Sequence, residues 1–219
     1  MIKLCVFDMD GLLIDSENNY VDTALICIKK YNYNIEKQLL FDIMGSNEIQ
    51  IREMFKERLG EDFNFDEFKQ RRIEISNEYE KTHPIALKKG VKELFNYLDE
   101  HNIKKTLATS TNKDLVIKRL KEHSLENAFE YMVTGDMINK SKPDPQIYLK
   151  AIEPFNLNKE EILAFEDSNN GILSAYNANL NVIYIPDIAI VKDETKEKVY
   201  KTLNDLNEVI DLIKKFNNY

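Results

Sequence analysis

Asp8-Met9-Asp10-Gly11 sets two carboxylates two residues apart, and Glu166-Asp167-Ser168-Asn169-Asn170-Gly171 adds a second acidic pair far along the chain. Clustered acids repel one another unless a cation or a shared proton compensates, so a metal ion is implied. No histidine or cysteine cluster accompanies them, and with only oxygen donors on offer the expected ion is magnesium. Thr109-Ser110-Thr111-Asn112 supplies hydroxyls and backbone amides where a helical pattern begins, an arrangement that suits a phosphate. Lys142 lies in Ser141-Lys142-Pro143-Asp144-Pro145, where Pro143 holds it extended and Asp144 with Pro145 reads as an N-cap and first helical residue. A lysine on so fixed a loop beside acids suits charge compensation of a bound phosphate.

Each segment also has a plainer reading. Asp-x-Asp-Gly suits an ordinary turn, Thr111, Asn112 and Ser168 suit helix caps, and most lysines are solvated surface groups. Their placement relative to the apolar runs favours chemistry. Strands are expected at Ile2 to Phe7, Thr106 to Thr109, Ile162 to Phe165 and Val182 to Ile185, with Tyr131 to Thr134 a weaker fifth. Helical spacing separates them, as in Val91, Leu94, Phe95 and Leu98, and in Leu115, Ile117, Leu120 and Leu125. Strands alternating with helices predict a parallel sheet covered on both faces. Asp8, Ser110 and Asp167 then all fall at carboxyl ends of strands, the edge where open α/β sheets bind ligands.

The stretch between the first two strands is too long for one crossover and holds its own helix patterns, marked by Val21, Leu25 and Ile28 and by Phe65, Phe68, Ile75 and Tyr79. It is expected to be an inserted helical domain over 15–84, between core segments 1–14 and 85–219. Near the C-terminus Leu206, Val209, Ile210 and Ile213 predict a helix, with Asn204 as N-cap. Lys192 to Lys201 is mixed in charge and reads as solvated surface.

With 219 residues and 43% hydrophobic content, the chain can build one substantial core with a smaller insert. A net charge of −8 argues against a broad nucleic-acid surface. Cys5 and Cys27 are too few and too apolar in setting for a disulfide framework, and a reducing cytoplasm fits best. No apolar run approaches membrane-spanning length, and no signal-peptide layout is seen. The expected state is a monomer acting on a small molecule.

In order and type these segments resemble the haloacid dehalogenase (HAD)-like hydrolase superfamily, and more closely its branch of β-phosphoglucomutase-like sugar phosphatases with a helical cap. The motifs that carry the resemblance are Asp8-Met9-Asp10-Gly11, the Ser110 segment, Lys142 in its Pro-flanked loop, and Phe165-Glu166-Asp167-Ser168 followed by Gly171. It implies a Rossmann-like core with 15–84 as cap. It further implies that Asp8 attacks phosphorus, while Asp10 protonates the leaving alkoxide and then activates water. Magnesium would be held by Asp8, the Asp10 backbone carbonyl and Asp167, with Glu166 a ligand or a support. Ser110 and Lys142 would bind the non-transferring oxygens, with Thr111 and Asn112 completing that segment. The implied substrate is a small phosphomonoester, a sugar phosphate or related metabolite.

For specificity the candidates are Gly45-Ser46-Asn47, Arg52 and Lys81, while His83 before Pro84 reads as structural. A phosphomutase shares this chemistry but returns the phosphate to a sugar. Tyr20 stands where mutases of the branch usually carry His, and Asp15-Ser16-Glu17 resembles the phosphatases, which favours hydrolysis. Dehalogenases use no metal and replace the second acid, so Asp10 and Asp167 speak against them. Retention of Asp8 and Asp10 speaks against an idle binding protein.

Overall fold

A computed structural model describes residues 1–218. In chain order the elements are β1 (Leu4–Phe7), α1 (Ser16–Tyr31), α2 (Lys37–Asp42), α3 (Glu48–Leu59), α4 (Phe65–Tyr79), α5 (Val91–Glu100), β2 (Lys104–Ala108) and α6 (Lys113–Glu122). There follow β3 (Tyr131–Val133), α7 (Gln146–Ile152), β4 (Ile162–Glu166), α8 (Asn169–Asn177), β5 (Asn181–Tyr184), α9 (Asp193–Lys196), β6 (Lys201–Thr202) and α10 (Asn207–Asn217). The strands form one sheet in the order β3-β2-β1-β4-β5-β6, and every neighbouring pair runs parallel. The α/β class and parallel sheet expected from the alternating pattern are therefore found.

Why β1 reads as an unbroken apolar run follows from its place inside the sheet. Leu4 and Val6 join the apolar layer against α7 and α8, whereas Cys5 and Phe7 face the layer against α5 and α10. Phe7 stacks on Phe165 of β4 at 4.8 Å, which ties the two strands that carry the acidic motifs. Each such fully buried ring contributes about 1.5–3 kcal/mol. The sheet order reverses between β1 and β4, so a crevice opens beyond their carboxyl ends. Cys5 and Cys27 are buried and unpaired.

Helices α1 to α4 pack about a separate apolar cluster, with Ala24, Leu40, Phe55 and Phe68 at its centre. α3 opens on a capping box between Asn47 and Gln50. No helix among the described residues is long and apolar enough to cross a membrane.

Four local expectations need correction. The C-terminal helix is capped at Leu206 rather than Asn204, because the Glu208 carboxylate draws both the Asn204 backbone N–H and its side-chain amide. α7 starts at Gln146 with Pro145 as its cap, although Asp144 Oδ1 still accepts from the Gln146 N–H at 3.0 Å. α6 ends at Glu122, leaving Leu125 beyond it. The segment 192–201 is not merely solvated surface: it holds α9, with Thr195 buried, and the start of the edge strand β6, whose two exposed residues gave no apolar signal.

Candidate active site

β1 ends at Phe7 and delivers Asp8, which is buried to 7% exposure at the crevice. Asp8 Oδ1 accepts from Lys142 Nζ at 2.6 Å, and the same ammonium donates to Glu166 Oε1 at 2.6 Å. Glu166 Oε1 also accepts from the Tyr148 hydroxyl at 2.6 Å, while Oε2 takes the Asp167 N–H at 3.2 Å and the Ser168 hydroxyl at 3.3 Å. Glu166 is thus fully engaged in holding Lys142 and the turn after β4. Gly171 makes room for it, since a Cβ there would lie 2.0 Å from the Glu166 carboxyl. Burial pushes the Asp8 carboxyl up to about 7 and Glu166 and Asp10 push the same way, against the pull of Lys142. Burial also works against the Lys142 ammonium, but Asp8 and Glu166 outweigh it and hold the lysine charged. The Lys142–Pro143 peptide is cis.

Asp10 sits where the crevice widens. Its Oδ1 accepts from Ser16 Oγ at 2.7 Å, and its Oδ2 accepts from Thr111 Oγ1 at 2.6 Å and Thr109 Oγ1 at 3.5 Å. Three hydroxyls from separate segments therefore fix its rotamer. Gly11 follows at φ +77, and a Cβ there would sit 2.2 Å from Asp167 Oδ2, so only glycine lets the two acidic loops meet.

The donor set fits a hard cation. Both Asp167 oxygens are buried without a hydrogen-bond partner, as are Glu17 Oε2 and Asp187 Oδ2. Oxygens of Asp8, Glu166 and Asp167 lie within 4.8 Å of one another, and so do those of Glu17, Asp167 and Asp187. Burial first, then the repulsion of Glu17, Glu166, Asp8 and Asp187, drives the Asp167 carboxyl well above its ordinary range. Glu17 is pushed up to about 8 by burial and by Asp187, Asp10 and Asp8. Orphaned acceptors carrying mutual repulsion are what a divalent ion would relieve.

The helical layer closes over this chamber. Gly45 packs so closely on Ser168 that a Cβ would come within 2.7 Å of the Ser168 Cβ. Asn170 Nδ2 donates to Gly45 O at 3.0 Å and to Gln50 Oε1 at 2.7 Å, and Asn47 Nδ2 donates to Lys142 O at 3.4 Å. A chamber of about 200 Å³ holds Asp8, Ser110, Lys142 and Asp167, and a cavity of about 390 Å³ adjoins it, bounded by Tyr20, Arg72 and Ile85. Asp10 and Glu17 line both.

On the far side of the larger cavity, Glu80 at the end of α4 pairs with α6. Its oxygens accept from Arg119 at 2.7 and 2.8 Å, from Lys118 at 3.1 Å and from Ser76 at 2.8 Å. Burial alone would raise the Glu80 carboxyl, but these donors hold it down to about 2, against an ordinary 4.5. Glu80→Gln is expected to cost about 2 kcal/mol in denaturant unfolding near pH 7, between the exposed and fully buried cases. A depressed carboxyl stabilises above its unfolded value and loses that contribution as pH falls through the folded one. The deficit should therefore narrow progressively from about pH 5 down to about pH 2; a constant deficit over that range contradicts the ion-pair account.

Of the residues expected at the site, Asp8, Asp10, Ser110, Lys142 and Asp167 line one chamber, and Glu166 lies buried behind it, bonded to Lys142. Thr111 reaches it through Asp10, but the Asn112 side chain turns away to cap α6, accepting from the Leu115 N–H at 3.2 Å. Gly45, Ser46 and Asn47 line the chamber, whereas Arg52 pairs with Glu48 and Asp66 and Lys81 with Glu78 at the exterior. His83 is exposed and stacked on Tyr79. Sequence reasoning missed the placement of Glu17, Asp187 and Tyr148. Asp187 lies past the carboxyl end of β5 but three residues beyond Tyr184, not directly after the strand as Asp8 is after β1; Tyr148 lay in an ordinary helical stripe and gave no signal.

Comparison with known proteins places these features in context. A family model described as haloacid dehalogenase-like hydrolase matches residues 5–185. A phosphorylated carbohydrates phosphatase of Thermotoga maritima is 34% identical over 84% of this chain and 84% of its own. (DL)-glycerol-3-phosphatase 2 of Arabidopsis thaliana is 28% identical over 91% of this chain and 87% of its own. The crystal structure of β-phosphoglucomutase from Clostridium difficile superposes with a TM-score of 0.76 over 100% of this chain and 99% of that one. At 20% identity this last likeness speaks for the fold alone.

Proposed function

The chain belongs to the haloacid dehalogenase-like hydrolases, and on that premise we propose that it is a magnesium-dependent phosphatase that passes the phosphoryl group through Asp8. The observation that carries this reading is the split environment of Asp8. Its Oδ1 is neutralised by Lys142, and Oδ2, without a hydrogen bond, belongs to a residue lining the chamber. Oδ2 attacks phosphorus in line; the new P–O bond forms as the bond to the leaving oxygen breaks, and Asp10 gives that oxygen its proton. Asp10, now a carboxylate, takes a proton from water as the water oxygen attacks phosphorus, and the Oδ2–P bond of the Asp8 acyl phosphate breaks, returning the Asp8 carboxylate and inorganic phosphate. Ser16, Thr109 and Thr111 keep Asp10 aimed throughout.

Asp8, Asp167 and the Asp10 backbone carbonyl would hold the cation, which when bound supplies the positive charge that lets an anion approach a phosphate dianion. Glu166 is assigned to support, because its oxygens already serve Lys142, Tyr148 and Ser168. Lys142 and Ser110 would take the non-transferring oxygens, as phosphoryl transfer depends mainly on positioning and electrostatics. Residues 15–84 act as a cap that excludes water and selects the leaving group, with Asn47 and Asn170 joining the two layers.

Substrates are small phosphomonoesters. Two relatives are named for phosphorylated carbohydrates and glycerol 3-phosphate, and the combined cavity suits molecules of that size. A panel of sugar phosphates, polyol phosphates and nucleotides, scored by phosphate release with Mg²⁺, is expected to give turnover on small carbohydrate esters. Undiminished activity after exhaustive chelation contradicts the metal assignment, and no release from any ester contradicts the reading as a whole.

A further inference from the structure

Arg52, Arg58, Arg71 and Arg119 each pair with a carboxylate, from Glu48, Asp42, Glu67 and Glu80 respectively. Arg72, on α4, is the remaining arginine, and its side chain makes no hydrogen bond or ion pair among the described residues. It is half-buried and lines the larger cavity, its guanidinium 4.3 Å from the centroid of the Tyr20 ring. A guanidinium stacked on a ring stays charged and keeps its donors at the edge of its plane, free for bidentate pairing with a carboxylate or phosphate.

No neighbouring acid answers it. Glu80, the carboxylate whose field reaches Arg72, is already committed to Arg119, Lys118 and Ser76. Asp10 and Glu17 lie where the two cavities join, so an anion at Arg72 sits on the part of a substrate that is not transferred. Apolar Ile43, Ile51 and Ile85 line the same cavity, and a charge left there without a counterion is costly. Resting on the phosphatase reading, we infer that Arg72 receives a second anionic group of the substrate, and that the preferred substrates are phosphomonoesters carrying a carboxylate or a further phosphate. Tyr20 then has a role of its own, as the platform that orients the guanidinium.

Matched pairs of substrates test this. Glycerol 3-phosphate against 3-phosphoglycerate changes a neutral tail to a carboxylate, and fructose 6-phosphate against fructose 1,6-bisphosphate adds a second phosphate. The wild-type enzyme is expected to favour the acidic member of at least one pair in kcat/KM by about 10- to 100-fold, the worth of one charge-assisted bidentate contact. The pair that responds tells carboxylate from phosphate. Arg72→Gln should bring the acidic-to-neutral ratio close to unity, chiefly through KM, and Arg72→Lys should restore part of it. Wild-type ratios near unity in both pairs overturn the inference while leaving the phosphatase reading intact, as does a ratio unmoved in Arg72→Gln. If Arg72→Gln does not fold, the wild-type ratios and Arg72→Lys decide by the same criteria. Phosphate release from none of the four esters overturns both readings.

Discussion

Asp8→Asn is expected to reduce phosphate release by about 10,000-fold or more, which corresponds to about 5–6 kcal/mol of barrier. The substitution keeps size and leaves Oδ1 able to accept from Lys142, so folding should survive and the loss would report on chemistry. Removing the nucleophile removes the covalent route altogether, whereas Asp10→Asn should still bind substrate while losing hydrolysis. Steady-state kinetics on a responsive ester, with a thermal melt to verify folding, measures both. Activity of Asp8→Asn within tenfold of wild type contradicts the mechanism.

Asp167→Asn should behave in opposite senses with and without the cation. In chelator, wild-type Asp167 is a buried carboxyl without a hydrogen-bond partner, close to oxygens of Glu17, Asp187, Asp8 and Glu166. An amide in its place sheds the repulsion and can donate to Glu17 or Asp187. A gain of about 2 kcal/mol, or about 4–8 °C in Tm, follows for the variant in chelator. With Mg²⁺ the order should reverse, because wild type gains stability from the ion and the variant does not. The raised carboxyls of Asp8 and Glu17, at about 7 and about 8 in the cation-free protein, add a pH signature. Groups whose folded values lie above their unfolded ones bind more protons in the native state, so stability in chelator should fall as pH rises from about 5 to about 8. Saturating Mg²⁺ should flatten that slope. A variant that melts lower than wild type in chelator, and responds equally to Mg²⁺, contradicts the cation site.

Much of this was legible in the chain because one physical rule applies repeatedly. Buried parallel strands are continuous apolar runs, and the polar residue just past each run falls on the ligand-binding edge; Asp8, Ser110 and Asp167 were found in that way. Asp187 obeys the same rule but stands three residues past Tyr184, beyond a proline, and so escaped it. Glu17 and Tyr148 could not be placed, since a helix carries its side chains round a full circle and only tertiary packing decides which turn inward. Asn112 shows the converse. Its type suited a ligand, but local competition from a helix N-terminus claimed its oxygen. Arg72 was invisible for a different reason: its significance lies in the absence of a partner, and partners are a property of the folded chain.

The covalent role of Asp8 is tested most directly by quenching wild-type enzyme in acid during turnover of a responsive ester and mapping phosphorylated peptides by mass spectrometry. The account predicts one phosphoryl group, on Asp8, in the peptide that also holds Asp10, absent from Asp8→Asn and labile in mild base. A phosphoryl group on any other residue, or rapid turnover with no phosphoenzyme in wild type or in Asp10→Asn, would contradict it.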